Sequence, residues 1–362
     1  MRALRWSTAA STSPPAGYVP MPLPIDRAGP LVALQAVGRD FDLSKPWLNR
    51  VLERAPRQCL RAVDGFSLQV RRGETLALVG ESGCGKSTVA RLIVGLYRPT
   101  RGRIEFDGKP QTTAAASPWS AEIRRRMQMI FQDPYASLNP RWRVTDIIAE
   151  PLRAHGLLAR RADLHARVFQ LLTQVGLAPA DGEKYPHEFS GGQRQRISIA
   201  RALSSAPEFL VCDEPTSALD VSVQAQILNL MKELQEQLGL TYLIISHNLA
   251  VVSQIATRVG VMYLGRLVEL AEAAVLFSRP RHPYTRMLLD AVPDLDLSGR
   301  VRVPIAGEVA NPLAPPSGCA FHPRCPLANA RCRVEQPELN TQPEAVASLV
   351  ACHAAEEGRL DP

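Results

Sequence analysis

The stretch Thr75-Leu76-Ala77-Leu78-Val79-Gly80-Glu81-Ser82-Gly83-Cys84-Gly85-Lys86-Ser87 decides the fold. Gly80 to Ser87 fits the pattern of glycine, four residues, glycine, lysine and serine or threonine. Small residues let the backbone wrap tightly, so that its N–H groups point inward as a nest for phosphate oxygens. The N-terminus of the following helix reinforces that nest. Lys86 adds a full positive charge at the β- and γ-phosphates, and the Ser87 hydroxyl suits magnesium. Thr75 to Val79 reads as a buried strand, and Ser87 to Leu96 carries helical spacing. A chance glycine-rich turn would lack that context on both sides.

Working outward, residues 31–42 and 60–70 read as strands. So do Met127 to Phe131, Phe209 to Cys212, Tyr242 to Ile245 and Val259 to Tyr263. Helical patterns cover Val144 to His155, Ala162 to Val175, Ser190 to Leu203, Val221 to Leu238 and Leu249 to Thr257. Strands alternating with helices predict an α/β fold with a largely parallel sheet covered on both faces. The run of helices between about 140 and 205 predicts a helical subdomain set into that frame. Residues 1–30, small and rich in proline and serine, read as a disordered lead-in. Residues 31–292 form the nucleotide-binding unit, and the proline-rich 293–362 reads as a small appended tail outside the sheet.

No stretch approaches the roughly 20 apolar residues that span a bilayer. Ser7 to Pro24 has no apolar centre of the kind a signal peptide needs. A cytoplasmic chain is expected, with any membrane role exerted through partners. The net charge is +7, and Arg124-Arg125-Arg126 is the densest basic cluster. It suits either a solvated helix face or acidic lipid headgroups. Seven cysteines are an odd total that argues against a disulfide framework. Cys84 and Cys212 read as small packing residues.

Two further stretches carry chemistry. Phe209-Leu210-Val211-Cys212-Asp213-Glu214 is an apolar strand ending in two carboxylates. Asp213 suits the metal, and Glu214 suits the polarisation of an attacking water. Ser190-Gly191-Gly192-Gln193 is a second anion-ready helix start. One loop already holds the phosphates, so a second start suggests a composite site completed by another subunit. The plainer alternative is an ordinary serine cap.

Together these stretches resemble the ATP-binding cassette family, over roughly residues 31–290. Ser190, Gly191, Gly192 and Gln193 look like its signature sequence, with Phe189 where leucine is more usual. Ser217-Ala218-Leu219-Asp220 looks like its D-loop, Gln132 its Q-loop glutamine and His247 its switch histidine. The resemblance implies a P-loop NTPase core with a RecA-like mostly parallel sheet, an antiparallel β subdomain and an inserted helical subdomain. It implies ATP contacts from Gly80, Ser82, Gly83, Cys84, Gly85, Lys86, Ser87, Thr88 and Asp213, with magnesium on Ser87, Gln132 and Asp213. Glu214, His247 and Gln132 would be catalytic, and Phe41 or Trp47 would stack on adenine. Two cassettes would pack head to tail, each signature acting on the other's ATP.

Phe131-Gln132-Asp133-Pro134-Tyr135-Ala136-Ser137-Leu138-Asn139-Pro140-Arg141 and His282-Pro283-Tyr284-Thr285 resemble the oligopeptide and dipeptide importer subfamily. So does Gly80-Glu81-Ser82-Gly83-Cys84-Gly85. The chain looks like an F-type ATPase subunit. This implies a second, D-type ATPase subunit, two membrane-spanning permeases and an extracytoplasmic binding protein, at the inner face of the membrane. Nickel and glutathione importers share much of the pattern, which leaves the cargo open. Soluble cassette ATPases usually carry two cassettes, coiled coils or zinc insertions, which are missing here. Some members of the subfamily carry a four-iron cluster in the tail. Cys319, Cys325, Cys332 and Cys352 could accordingly hold a [4Fe-4S] cluster, a zinc ion or nothing.

Overall fold

A computed structural model describes residues 29–44, 49–50, 53, 56, 58–111, 118–158, 160–291, 307–342 and 345–360. Trp47 and nearly all of the expected lead-in lie outside these residues.

Twelve strands are described. They are Val32–Asp42 (β1), Cys59–Val70 (β2), Thr75–Val79 (β3), Arg101–Phe106 (β4), Lys109–Pro110 (β5) and Met127–Ile130 (β6). Phe209–Asp213 (β7), Thr241–Ile245 (β8), Arg258–Tyr263 (β9), Arg266–Glu272 (β10), Asn340–Gln342 (β11) and Ala345–Val350 (β12) follow. They form a four-stranded antiparallel sheet in the order β2-β1-β4-β5, and an eight-stranded sheet in the order β11-β12-β10-β9-β3-β8-β7-β6. From β9 to β6 the large sheet is parallel, with Leu76 level with Leu243 and Val211 in turn level with Leu243. β3, β7 and β8 are buried along their whole length, as parallel strands covered on both faces must be.

Helix Lys86–Ile93 (α1) lies between the two sheets. Its Val89, Leu92 and Ile93 share a core with Val32, Phe66 and Phe106 of the small sheet and Leu76 and Val211 of the large one. Helices Val144–Ala154 (α2), Arg161–Gln174 (α3) and Gly191–Leu203 (α4) pack Ile148, Leu171 and Ile197 into a second core. Helix Val221–Leu238 (α5) closes that core through Ile227 and Met231 over Leu210 and Ile244. Helices Leu249–Ile255 (α6) and Pro283–Asp290 (α7) follow.

Three findings differ from the sequence reading. The tail is part of the large sheet, not an appendage outside it. β12 pairs antiparallel with β10, Leu349 opposite Leu270, and β11 pairs with β12. The cause is the hairpin Tyr263-Leu264-Gly265-Arg266, whose two central residues have φ 41 and 81. That left-handed turn folds β10 back onto β9 and leaves a row of backbone donors and acceptors on its far edge. Arg98 to Gly102, whose Pro99 and Gly102 read as a turn closing the helix from Ser87 to Leu96, is only partly one, because β4 begins at Arg101. The arginine cluster also divides: Arg126 is neither a solvated face nor a lipid patch. It is buried, with Nε 2.7 Å from Glu208 Oε1 and Nη2 2.7 Å from Asp107 Oδ2. Arg72 pairs with Asp107 too, so these ions tie the small sheet to the foot of β7.

Candidate active site

Four neighbouring strands run the same way, so four loops leave one edge of the sheet. β3 delivers Gly80, β8 delivers Ser246 and His247, β7 delivers Glu214, and β6 delivers Gln132. The carboxyl ends of parallel strands are where open α/β sheets bind ligands.

The phosphate loop turns straight into α1. Gly85 caps the helix with φ 105, and a Cβ there would lie 2.2 Å from the Ala62 carbonyl oxygen. Only glycine fits both the left-handed backbone and the approach of β2. Lys86 is buried, and its ammonium donates to the carbonyls of Gly80 at 2.8 Å and Glu81 at 2.9 Å. Ser82 and Gly83 are exposed at the tip of the loop, and Ser87 and Thr88 are half-buried in the first turn of α1. Cys84 points inward, buried in the core below the loop, and burial raises its pKa. Cys212 is fully buried and its pKa is raised for the same reason.

The Ser87 hydroxyl donates to Asp213 Oδ1 at 2.9 Å. Asp213 is buried, and desolvation raises its pKa against the opposing pull of that hydrogen bond. Next to it, Glu214 takes φ 48, uncommon for a residue with a side chain. Its N–H donates to the Ile245 carbonyl at 2.9 Å, which locks β7 to β8 at the turn. The carboxylate then faces two partners. Gln132 Nε2 donates to Oε2 at 2.9 Å, and His247 Nδ1 lies 2.9 Å from Oε1. Gln132, Glu214 and His247, expected to act together, are thus in direct contact. Such a row can hold a water against a carboxylate base with one flanking amide and one flanking imidazole.

Ser190 Oγ accepts the Gln193 N–H, and Gln193 Oε1 accepts the Ser190 N–H at 3.0 Å. This reciprocal cap leaves Ser190, Gly191 and Gln193 on the surface. Gly192 is half-buried, and a Cβ on it would lie 2.5 Å from Val223 Cγ1 of α5. Asp220 sits at the N-cap position of α5 without a side-chain capping bond, and Gln224 of that helix donates to the carbonyls of Thr216 and Leu219 at 2.9 Å each, shaping the D-loop segment.

Phe41 is half-buried. Its ring packs edge-on against Tyr97 at 5.4 Å, and the Arg39 guanidinium lies 4.6 Å from its centre. In the tail, Cys332 and Cys352 are buried and Cys319 and Cys325 half-buried, all as free thiols. Burial raises the pKa of Cys325, pushes that of Cys319 up to about 11 and that of Cys352 up to about 12. Among the described residues no group of three or more His, Cys, Asp or Glu is arranged to hold a metal ion. No helix among them is long and apolar enough to cross a membrane.

The sequence reading missed three contacts at the loop. Glu81 forms a two-pronged ion pair with Arg324, at 2.8 and 2.9 Å. Its N–H donates to Tyr284 Oη at 2.8 Å. Tyr284 is in turn set by His282, whose Nδ1 accepts the Tyr284 N–H at 3.0 Å at the start of α7. The only signal was that Gly80 to Gly85 and His282 to Thr285 were already marked by the same resemblance.

Residues 63–217 match the ABC transporter family, and residues 268–332 match the C-terminal region of oligopeptide/dipeptide transporters. The chain is 50% identical over 297 residues to the oligopeptide transport ATP-binding protein AppF of Bacillus subtilis (strain 168), covering 81% of this chain and 89% of that protein. It is 50% identical over 299 residues to the di/tripeptide transport ATP-binding protein DppF of Pseudomonas aeruginosa (strain UCBPP-PA14), covering 82% and 91%. Among solved structures, cbiO1 of Clostridium perfringens, part of the cbiONQ transporter complex, superposes with a TM-score of 0.58 at 27% identity, over 69% of this chain and 92% of that one. The cassette MJ0796, a dimer in a post-hydrolysis state bound to ADP and Pi, gives 0.58 at 26%, over 67% and 98%. With half of its residues shared over four fifths of its length, the chain belongs to the ATP-binding proteins of ABC transporters.

Proposed function

We propose that the chain hydrolyses ATP to power the import of di- and oligopeptides. It does so as one of two cassettes docked on permease subunits at the cytoplasmic face of the membrane. The observation that carries the ATPase reading is the row Gln132–Glu214–His247 beside the Ser87–Asp213 pair, at adjacent strand ends. The peptide cargo is supported by what the relatives are named for. A binding protein outside the membrane and a second, D-type ATPase subunit complete the proposed assembly.

In this reading Lys86 leaves the Gly80 and Glu81 carbonyls for the phosphates, and the loop N–H groups wrap them. Ser87, Asp213 and Gln132 would hold a magnesium ion, which supplies positive charge to the β- and γ-phosphates. The residues fit that ion: two hard oxygens already lie 2.9 Å apart, and Asp213 is a buried carboxylate. Glu214 orients the attacking water and takes its proton, while His247 faces the γ-phosphate. Phe41 would stack on adenine. The capped helix start at Ser190 to Gln193 serves the partner cassette's ATP, with Asp220 at the same interface. The surface position of that start and the dimeric likeness support this.

An iron–sulfur cluster on Cys319, Cys325, Cys332 and Cys352 would require these thiols to be drawn together, because among the described residues they are not arranged to hold a metal ion. Four soft donors within 34 residues support it, and a cluster would supply cross-linking to a small tail. No step of hydrolysis runs through it. Anaerobically purified protein should absorb near about 400 nm and contain iron; colourless, iron-free protein removes the cluster.

The deciding experiment reconstitutes the chain with its co-purifying membrane subunits in vesicles. ATP-driven uptake of labelled dipeptides or oligopeptides is expected. Uptake of nickel or glutathione alone would overturn the peptide cargo. Recovery with nucleic acid and no membrane subunit would overturn the transport role.

A further inference from the structure

The phosphate loop contains one carboxylate, Glu81, and a triphosphate must dock against that loop. An uncompensated carboxylate there would repel the ligand and attract Lys86 away from it. The tail supplies the compensation. Arg324 grips both Glu81 oxygens in fork geometry, with only 3% of its side chain exposed. Its guanidinium lies 5.9 Å from the ring centres of both Tyr263 and Phe321. Those rings contact each other at 5.4 Å, and Tyr284 packs on both. Tyr284 Oη accepts the Glu81 N–H at 2.8 Å. Glu81 is therefore fixed at three points: carboxylate to Arg324, N–H to Tyr284, and carbonyl to Lys86.

We propose that Arg324 is a positioning residue for ATP binding: from the tail, it neutralises Glu81 and holds the phosphate loop open to a polyanion. The proposal rests on the ATPase reading above. It assigns to the tail a part in nucleotide affinity. A buried fork of this kind also resists rotation, so the pair holds the loop's second residue in place while Lys86 changes partners.

The test uses the full chain with bound permeases and reads ATP affinity with a fluorescent ATP analogue, alongside thermal unfolding. Arg324→Met keeps the packing against Tyr263 and Phe321 but removes the charge. It should weaken ATP binding roughly tenfold or more, because one unit charge faces a triphosphate at short range. Adding Glu81→Gln to that variant should restore affinity to within about threefold of the parent, since the lone carboxylate is gone. Mere docking of the tail predicts lower unfolding temperature with unchanged affinity, and that result would overturn the proposal. Failure of Glu81→Gln to restore affinity would overturn it too. If Arg324→Met does not fold, Arg324→Lys decides: charge retained without the fork should keep affinity within about threefold, and a tenfold loss refutes neutralisation. Parent protein that binds no ATP at all would instead sink the ATPase reading.

Discussion

Replacing Glu214 by Gln separates binding from chemistry, and the geometry sets both sizes. The carboxylate accepts from Gln132 at 2.9 Å and meets His247 Nδ1 at 2.9 Å. A glutamine amide can keep both contacts. Its oxygen stays on Gln132, and its N–H donates to a neutral His247 whose proton sits on Nε2. The left-handed backbone at φ 48 bears the same side-chain shape. With His247 half exposed, the exchange should change folding stability by less than about 1 kcal/mol. The chemistry is different, because an amide cannot take a proton from water. Loss of a general base costs about 10²- to 10⁴-fold in rate, or roughly 3–5 kcal/mol of barrier. Single-turnover phosphate release, measured beside ATP affinity, checks this. Turnover should fall at least about 100-fold with affinity held within about threefold, and light scattering should show ATP holding a dimer. Hydrolysis within about tenfold of the parent would remove Glu214 as base. Affinity falling in step with turnover would instead make it a nucleotide anchor.

Lys86→Ala should weaken ATP binding roughly 10- to 100-fold, the worth of charged hydrogen bonds, in an equilibrium titration; unchanged affinity would contradict the loop assignment. Gly192→Ala should cost about 1–3 kcal/mol in urea unfolding, because its Cβ would meet stiff Val223 at 2.5 Å. Val223→Ala should recover most of that loss, and a double variant no better than the single one would refute the contact. Glu269 is fully buried, with burial raising its pKa above the ordinary 4.5 against the N–H donors of Arg281 and His282. The folded state therefore keeps a proton that the unfolded chain releases. Stability present below 4.5 should fall as pH rises from there towards the folded value. Glu269→Gln should flatten that slope in urea midpoints taken across the range; an unchanged slope assigns it elsewhere.

The parts of the site that local chemistry dictates were legible in the sequence. Gly80 to Ser87, the strand ending at Asp213-Glu214 and the Ser190–Gln193 cap each carry their reason within a few residues. The meeting of Gln132, Glu214 and His247 was not legible from spacing; it came through resemblance, because only strand order brings β6, β7 and β8 together. Arg324 and Glu81 are 243 positions apart, and nothing local in either announces the other. β10 was missed because its turn, Leu264-Gly265, lacks the asparagine or aspartate that usually signals such a hairpin. β12 was missed because Ala345 to Val350 is short and follows a proline-rich run.

The pairing of β12 with β10 also sets a schedule for synthesis. β10 leaves the ribosome and folds onto β9 well before β12 exists. At roughly 5–20 residues per second, that apolar strand waits several seconds with one side unpaired. During this interval the nascent chain is exposed to strand addition by another nascent chain. A stop codon between β11 and β12 would make the wait permanent, and the truncated product should accumulate as aggregate even though every loop of the candidate site is already made.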